Sequence, residues 1–293
     1  MKDNYTIHRC PDKTNSVFFL LSGCFGTQSG IGNYYTKIIE KLNKEGVTCV
    51  TMDVAGNGER YLESVDTYTQ DRDDVIRVYN KIKNMDEFKD VNFEIMGYSL
   101  GALTALQVIN ALPENSFSKF IAQGPSWHKD DLKELVDSNG FLPNLNRPIN
   151  ESEFHMYHMD INAVLDLQRL LDDKYFIYES LSKVDGPISI LIGENDEEIH
   201  KDFFYKYFKD GYSADLSLDE KLCPEKLGDD KKYENWLEKT IKNLDIQLVE
   251  IEGSDHTMNL FNPEKTNSEE IMKKCIDANC NFVLEKNQSD LAL

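Results

Sequence analysis

Residues 97–101 read Gly97-Tyr98-Ser99-Leu100-Gly101, and they lie where an apolar run (Phe93, Ile95, Met96) passes into a helix-compatible stretch, Ala102 to Leu112. A strand that turns abruptly into a helix holds its corner residue in a strained conformation, and side chains on the flanking positions collide there. Gly97 and Gly101 remove those side chains. The predicted corner sets the Ser99 hydroxyl proud of the sheet, and the backbone N–H of Leu100, at the helix start, points toward any oxyanion that develops beside it. Ala102 and Ala105 let the helix lie close on the sheet, and Pro113 stops it. The segment thus demands a strand, a tight turn and a packed helix in that order, with Ser99 as the candidate nucleophile.

A hydroxyl alone is a poor nucleophile at neutral pH. It needs a histidine base, and a carboxylate that fixes the imidazole tautomer and stabilises its cation. The run Pro187-Ile188-Ser189-Ile190-Leu191-Ile192-Gly193 reads as a buried strand ending in Glu194-Asn195-Asp196, which makes Asp196 the candidate acid, with Glu194 and Asp130 as substitutes. A last strand, Ile246 to Ile251, empties into Glu252-Gly253-Ser254-Asp255-His256. Of the six histidines only His256 follows a strand end by a glycine turn, so it is the candidate base. A second oxyanion donor is expected after an earlier strand, Val17 to Leu21, which leads into Ser22-Gly23-Cys24-Phe25-Gly26. The backbone N–H of Cys24 is the candidate donor and that of Phe25 the alternative; the Cys24 thiol itself reads as a small packing group.

Strand candidates Val17 to Leu21, Thr48 to Asp53, Val91 to Met96, Lys119 to Gln123, Ile188 to Ile192 and Ile246 to Ile251 alternate with helical stretches, and Tyr5 to Cys10 offers a preceding strand or hairpin. Alternation of this kind implies an α/β fold, a mostly parallel central sheet flanked by helices. Helices are expected at Tyr34 to Glu45, closed by Gly46, and at Thr67 to Asn84, where Val75, Val78, Tyr79 and Ile82 repeat at helical spacing. Between Gly124 and Val184 the rhythm breaks for about sixty residues, too long for a simple crossover. This stretch, residues 125–184, is expected to be a helical cap inserted into a core made of 1–124 and 185–293. Asn150 and Glu153 form a capping-box pair opening a cap helix on which Ile161, Val164, Leu165 and Leu171 share a face. His155 and His158 near Asp160 imitate a metal pair but lack an assignable third ligand, and they read as a solvated cap face. A second long stretch, 197–245, opens with Phe203, Phe204, Tyr205, Tyr207 and Phe208, which either wall a pocket or pack on the last strand.

A net charge of −20 repels phosphate backbones and anionic headgroups, so nucleic acid is not an expected partner, and a strongly acidic carrier protein is disfavoured though not excluded. With 40% apolar residues in 293, the chain can bury one large core. Val17 to Leu21 is too short to span a bilayer, and the polar start Met1-Lys2-Asp3-Asn4 lacks a secretory apolar region, which points to a cytoplasmic protein without stable membrane insertion. Cys10, Cys24, Cys49, Cys223, Cys275 and Cys280 show no C-x-x-C spacing and read as reduced thiols rather than a disulfide framework or zinc site.

Together the strand with Ser22-Gly23, the strand ending Met52-Asp53-Val54-Ala55-Gly56-Asn57-Gly58, the Gly97 to Gly101 pentapeptide, the acid and the histidine resemble the α/β-hydrolase superfamily. Within it the chain is similar to the capped esterase, lysophospholipase and acyl-thioesterase branch. Ser22 and Asn57 stand where that branch carries histidines. The resemblance implies Ser99 as nucleophile, Asp196 as acid, His256 as base, and the backbone N–H groups of Cys24 and Leu100 as oxyanion donors. It further implies a serine hydrolase that cleaves an ester or thioester of a hydrophobic acyl group, with no metal or organic cofactor. An acyltransferase, an acyl-carrier or CoA thioesterase, and a silent ligand-binding protein of the same fold are the alternatives.

Overall fold

The computed structural model describes residues 4–23, 26–55, 57–60, 63, 67, 69–127, 167, 169–171, 174–199, 201–205, 244–261 and 265–285. Its strands are β1 (Tyr5–His8), β2 (Ser16–Leu21), β3 (Val47–Met52), β4 (Asn92–Tyr98), β5 (Lys119–Gln123), β6 (Ile188–Gly193) and β7 (Ile246–Ile251). The α-helices are α1 (Tyr34–Asn43), α2 (Gln70–Lys83), α3 (Leu100–Ala111), α4 (Lys174–Leu181), the single turn α5 (Lys201–Phe204) and α6 (Ser268–Leu284). β2, β3 and β6 are buried along their whole length, as strands covered by helices on both faces are.

The strands pair in the order β1-β3-β2-β4-β5-β6-β7, and only β1 runs antiparallel. The two-residue period divides the side chains between two cores. Phe19, Val50, Ile95, Phe120 and Ile190 face α2, α3 and α4, where Val78, Ile82, Leu103, Leu106 and Phe176 meet them. Phe18, Leu20, Met96 and Ile121 face the other way, onto Ile38 and Leu42 of α1 and Ile271, Met272 and Cys275 of α6. The chain runs outward from β2 to β3, returns to β4 and then builds in the opposite direction. The strand order therefore reverses between β2 and β4, and in open α/β sheets the crevice beyond such a switch point, at the carboxyl ends of the strands, is where ligands are held.

Expected and observed elements coincide within a few residues, with three differences. α1 stops at Asn43, and Gly46, at φ 82, turns the chain into β3. β1 is a short edge strand, not one arm of a hairpin. α6 is absent from the expected elements although its pattern is legible: Glu269 and Glu270 occupy the first turn, and Ile271, Met272, Cys275, Ile276 and Cys280 are buried at helical spacing. Of the expected cap, Asn150, Glu153, His155, His158, Asp160, Ile161, Val164 and Leu165 lie outside the described residues, as does most of 197–245. The described end of that cap stretch, α4, lies on α3, with Phe176, Ile177 and Leu181 in the core. Among the described residues no helix is long and apolar enough to cross a membrane. Cys10, Cys49, Cys275 and Cys280 are free and buried; Cys24 and Cys223 lie outside the described residues.

A buried carboxylate fastens the loops at the switch point. Asp53, just past β3, accepts the main-chain N–H groups of Gln28 (3.1 Å) and Glu59 (3.2 Å) and the side-chain amides of Asn4 and Gln28. Four donors offset the cost of burying it. This ties the loop after β2 to the loop after β3.

A second buried carboxylate, Glu94 in the middle of β4, is less well served. Burial raises its pKa to about 7 against the opposing pull of Lys119 and Ser16, and its Oε2 has no hydrogen-bond partner. A carboxyl group whose folded pKa is raised binds its proton better in the native state, so stability falls as pH climbs from about 4.5 through about 7. Glu94→Gln removes that dependence. Its melting temperature is expected to match wild type near pH 5 and to exceed it at pH 8, by an equivalent on the order of 1–3 kcal/mol once the lost charge opposite Lys119 is allowed for. An offset that stays constant across this range rules the mechanism out.

Candidate active site

β4 ends in the turn that Gly97 and Gly101 imply. Ser99 sits at φ 54, ψ −126, a region that residues with side chains rarely occupy. Its N–H donates to Gln123 O at 2.8 Å, and its carbonyl accepts the Ala102 N–H at 2.9 Å, so both sides of the strained residue are held. A Cβ on Gly97 would overlap Ala102 Cα and N, and one on Gly101 would press on the carbonyls of Leu21 and Ser22. Gly23 closes the arrangement from the neighbouring strand. A Cβ there would stand 2.7 Å from Ser99 Cβ and 3.2 Å from the Leu100 nitrogen, crowding both. The pairing of Leu21 with Gly97 sets this loop beside the serine. Ser22 Oγ donates to Thr27 O (2.9 Å) and Tyr35 Oη to Leu21 O (2.8 Å), fixing both shoulders of the loop. Cys24 and Phe25, the candidate and alternative second donors, lie outside the described residues.

The histidine arrives from the loop after β7. Asp255 accepts the N–H groups of Thr257 (3.0 Å) and Asn259 (2.6 Å) and the Thr257 hydroxyl (3.0 Å) on one carboxylate oxygen, winding a tight turn around His256. Asn259 and Met258, both at positive φ, complete it, and the Asn259 amide reaches Gly253 O at 2.9 Å. The Tyr98 hydroxyl donates to the His256 carbonyl. Burial and the nearby carboxylate of Asp196 push the Tyr98 pKa well up, so it remains a donor. The imidazole then lies between two partners: Nδ1 is 2.9 Å from Asp196 Oδ2, and Nε2 is 2.8 Å from Ser99 Oγ. Because a carboxylate only accepts, Nδ1 carries the proton and Nε2 is left to accept from the serine hydroxyl.

Asp196 is 1% exposed, and its other oxygen accepts the Glu198 N–H at 3.1 Å. Its loop is stitched to the histidine loop by Asn195 N–H to Ser254 O (2.8 Å) and Glu194 N–H to Ile251 O (3.0 Å). The two candidates in this segment therefore part company. Asp196 turns in to the imidazole, while Glu194 is occupied at the surface, where its Oε2 accepts the Gly253 N–H at 2.8 Å. Asp130, the other substitute, lies outside the described residues. Gly124 covers the pair from β5 at φ 51, and a Cβ there would lie 3.2 Å from His256 Nδ1 and 3.4 Å from Asp196 Oδ2.

Two features of the site were not foreseen from sequence. Beneath the turn, Gln123 Oε1 accepts from Tyr34 Oη (2.6 Å) and Asn279 Nδ2 (2.8 Å), so the residue whose carbonyl holds Ser99 is itself anchored to α1 and α6. At the surface, Glu198 Oε2 stands 3.7 Å from His256 Nε2. The spacing of two residues from Asp196 was its only sequence signal.

The fold has counterparts. Residues 21–142 match the family model described as "Serine aminopeptidase, S33". Solved structures match over nearly the whole chain. A soluble variant of monoglyceride lipase from Saccharomyces cerevisiae, in complex with a substrate analogue, is 13% identical, covers 96% of this chain and 90% of its own, and has a TM-score of 0.63. Est1E from Butyrivibrio proteoclasticus with ferulic acid bound is 16% identical over 96% and 94%, with a TM-score of 0.59. A thermostable carboxyl esterase from Bacillus coagulans in complex with glycerol is 13% identical over 96% and 94%, at 0.55. The chain has the α/β-hydrolase fold. No curated protein sequence matches it. The strand order, the switch point between β2 and β4 and the sharp strand-to-helix turn at residue 99 are features of that fold.

Proposed function

We propose that this α/β-hydrolase is a serine hydrolase that cleaves an ester of a hydrophobic acyl group through an acyl-enzyme intermediate. The observation that carries the reading is the bridging imidazole, within hydrogen-bond distance of Ser99 Oγ on one side and Asp196 Oδ2 on the other. In the first half-reaction His256 Nε2 takes the hydroxyl proton as Ser99 Oγ attacks the acyl carbonyl. The resulting oxyanion is met by the Leu100 N–H, at the positive end of α3, and by the backbone N–H of Cys24. Collapse expels the alcohol, protonated by Nε2. In the second half-reaction Nε2 removes a proton from water, which attacks the acyl-enzyme and releases the acid. Asp196 holds the Nδ1–H tautomer throughout and stabilises the transient cation.

In this reading the stretch 125–184, expected from sequence to be a cap, is assigned the acyl-binding wall; its described end, α4, packs on α3. The esterases and lipase that share the fold support an ester substrate, and hydrolysis of a thioester uses the same steps. The buried free thiols and acidic surface suit a reducing, cytoplasmic setting.

A fluorophosphonate probe is expected to label wild type at one serine, and Ser99→Ala to abolish labelling while leaving the melting temperature within about 1 kcal/mol equivalent. Unchanged labelling of that variant would reject the site. Hydrolysis rates across matched oxygen and thioester series of rising acyl length then define the acyl group. A binding protein of the same fold would retain ligand in both forms and release no acid in either.

A further inference from the structure

Glu198 stands at the Nε2 edge of the His256 imidazole, the edge that also meets Ser99 Oγ. Its main-chain N–H donates to Asp196 Oδ1 at 3.1 Å, which ties it to the acid loop, while its carboxylate reaches back to within 3.7 Å of His256 Nε2. One residue therefore touches both ends of the line that runs from Asp196 through the imidazole. The local alternation builds this orientation: Asp196 and Ile199 turn inward and are buried, whereas Glu197 and Glu198 face solvent. Lys201, the lysine of the same loop, is held on the carbonyl of Glu194.

Nε2 is the atom that delivers a proton to the leaving group, so the leaving heteroatom passes within hydrogen-bond reach of it. A charge carried a few bonds farther out then lies about 6 Å from the Glu198 carboxylate, where even water-screened attraction or repulsion changes a rate constant about threefold for each sign. We infer that Glu198, 3.7 Å from His256 Nε2, is a specificity-determining residue that favours esters with neutral or cationic leaving groups and disfavours anionic ones, phosphate-bearing thiols among them. The inference rests on the serine-hydrolase reading and narrows it toward alcohol esters and away from coenzyme-type thioesters. The acidic surface, at a net charge of −20, acts in the same direction over longer range.

The test uses three esters that share one acyl group and differ in the alcohol: a neutral alkanol, a quaternary ammonium alcohol and a sulfonate-terminated alcohol. In wild type, kcat/KM for the cationic ester is expected to exceed that for the anionic one. Glu198→Gln should shrink this ratio about tenfold, since both threefold effects vanish together. In 1 M salt, where screening acts over about 3 Å, the wild-type ratio should fall toward that of the variant. Fluorophosphonate labelling of Glu198→Gln verifies that the variant is folded and its serine reactive. If wild type and a labelled variant give the same ratio, the role of Glu198 is overturned while the hydrolase reading stands. If wild type cleaves none of the three esters and takes up no probe, both are overturned.

Discussion

Asp196→Asn is expected to lower kcat about 10⁴-fold with little change in KM, and Ser99→Ala or His256→Ala to lower it on the order of 10⁴–10⁶-fold. The reason lies in the direction of one hydrogen bond. With a carboxylate at 196, Nδ1 must donate across 2.9 Å and Nε2 is free to accept from Ser99. An asparagine can instead present its NH₂ to Nδ1, which moves the ring proton to Nε2 and leaves the serine without a base. Neither nearby carboxylate rescues the variant. Glu194 is engaged with the Gly253 N–H, and Glu198 lies on the Nε2 side, where it cannot fix the tautomer. The Ser99→Ala, His256→Ala double variant should be no slower than the worse single one, because the three groups act as a unit. Steady-state kinetics on one ester, with thermal melts to verify folding, decide the matter. Additive losses would mean that Ser99 and His256 work independently.

The sheet was legible because strands and covering helices have different periods, and the largely apolar stretches at β2, β3, β4 and β6 are bounded by turn residues. The strained turn at Ser99 was legible because two glycines flank it where no side chain fits. Asp196 was harder to separate from Glu194 by sequence, since both follow β6 in the same loop. What separates them is the packing of the loop after β6 on the loop after β7, where Gly193 lies against the Ser254 carbonyl, the Asn195 N–H donates to it, and Asp196 is buried. Such a choice depends on contacts between segments some sixty residues apart, which a local pattern does not encode. Gln123, Asn279 and Glu198 escaped for the same reason. Each is an ordinary polar residue in sequence and acquires its role from the element that packs against it. α6 is a different case: its pattern was present, but its polar face and the two asparagines at 279 and 281 dilute the apolar stripe.

The turn at Ser99 also carries the largest expected effect on stability. Gly97→Ala places a methyl group inside the van der Waals envelope of Ala102 Cα and N and Gly101 O, all main-chain atoms of the α3 start. No side chain can swing away to relieve that overlap, so either β4 or α3 must shift, and both are fully packed: Ala102, Ala105 and Leu106 are at 0% exposure. Close-packed interiors resist such shifts, and the expected loss is about 3–5 kcal/mol, a large part of the total stability of a domain. Gly253→Ala is the informative comparison. Gly253 has a positive φ of 75, but the nearest atom to an added Cβ is Ile271 Cδ1 at 3.6 Å, so the cost there is backbone conformation alone, about 1–2 kcal/mol. Denaturant melts of the two variants thus separate steric exclusion from left-handed strain. If Gly97→Ala unfolded at the same denaturant concentration as Gly253→Ala, the close seating of α3 on β4 would not be what holds Ser99 at the sheet edge.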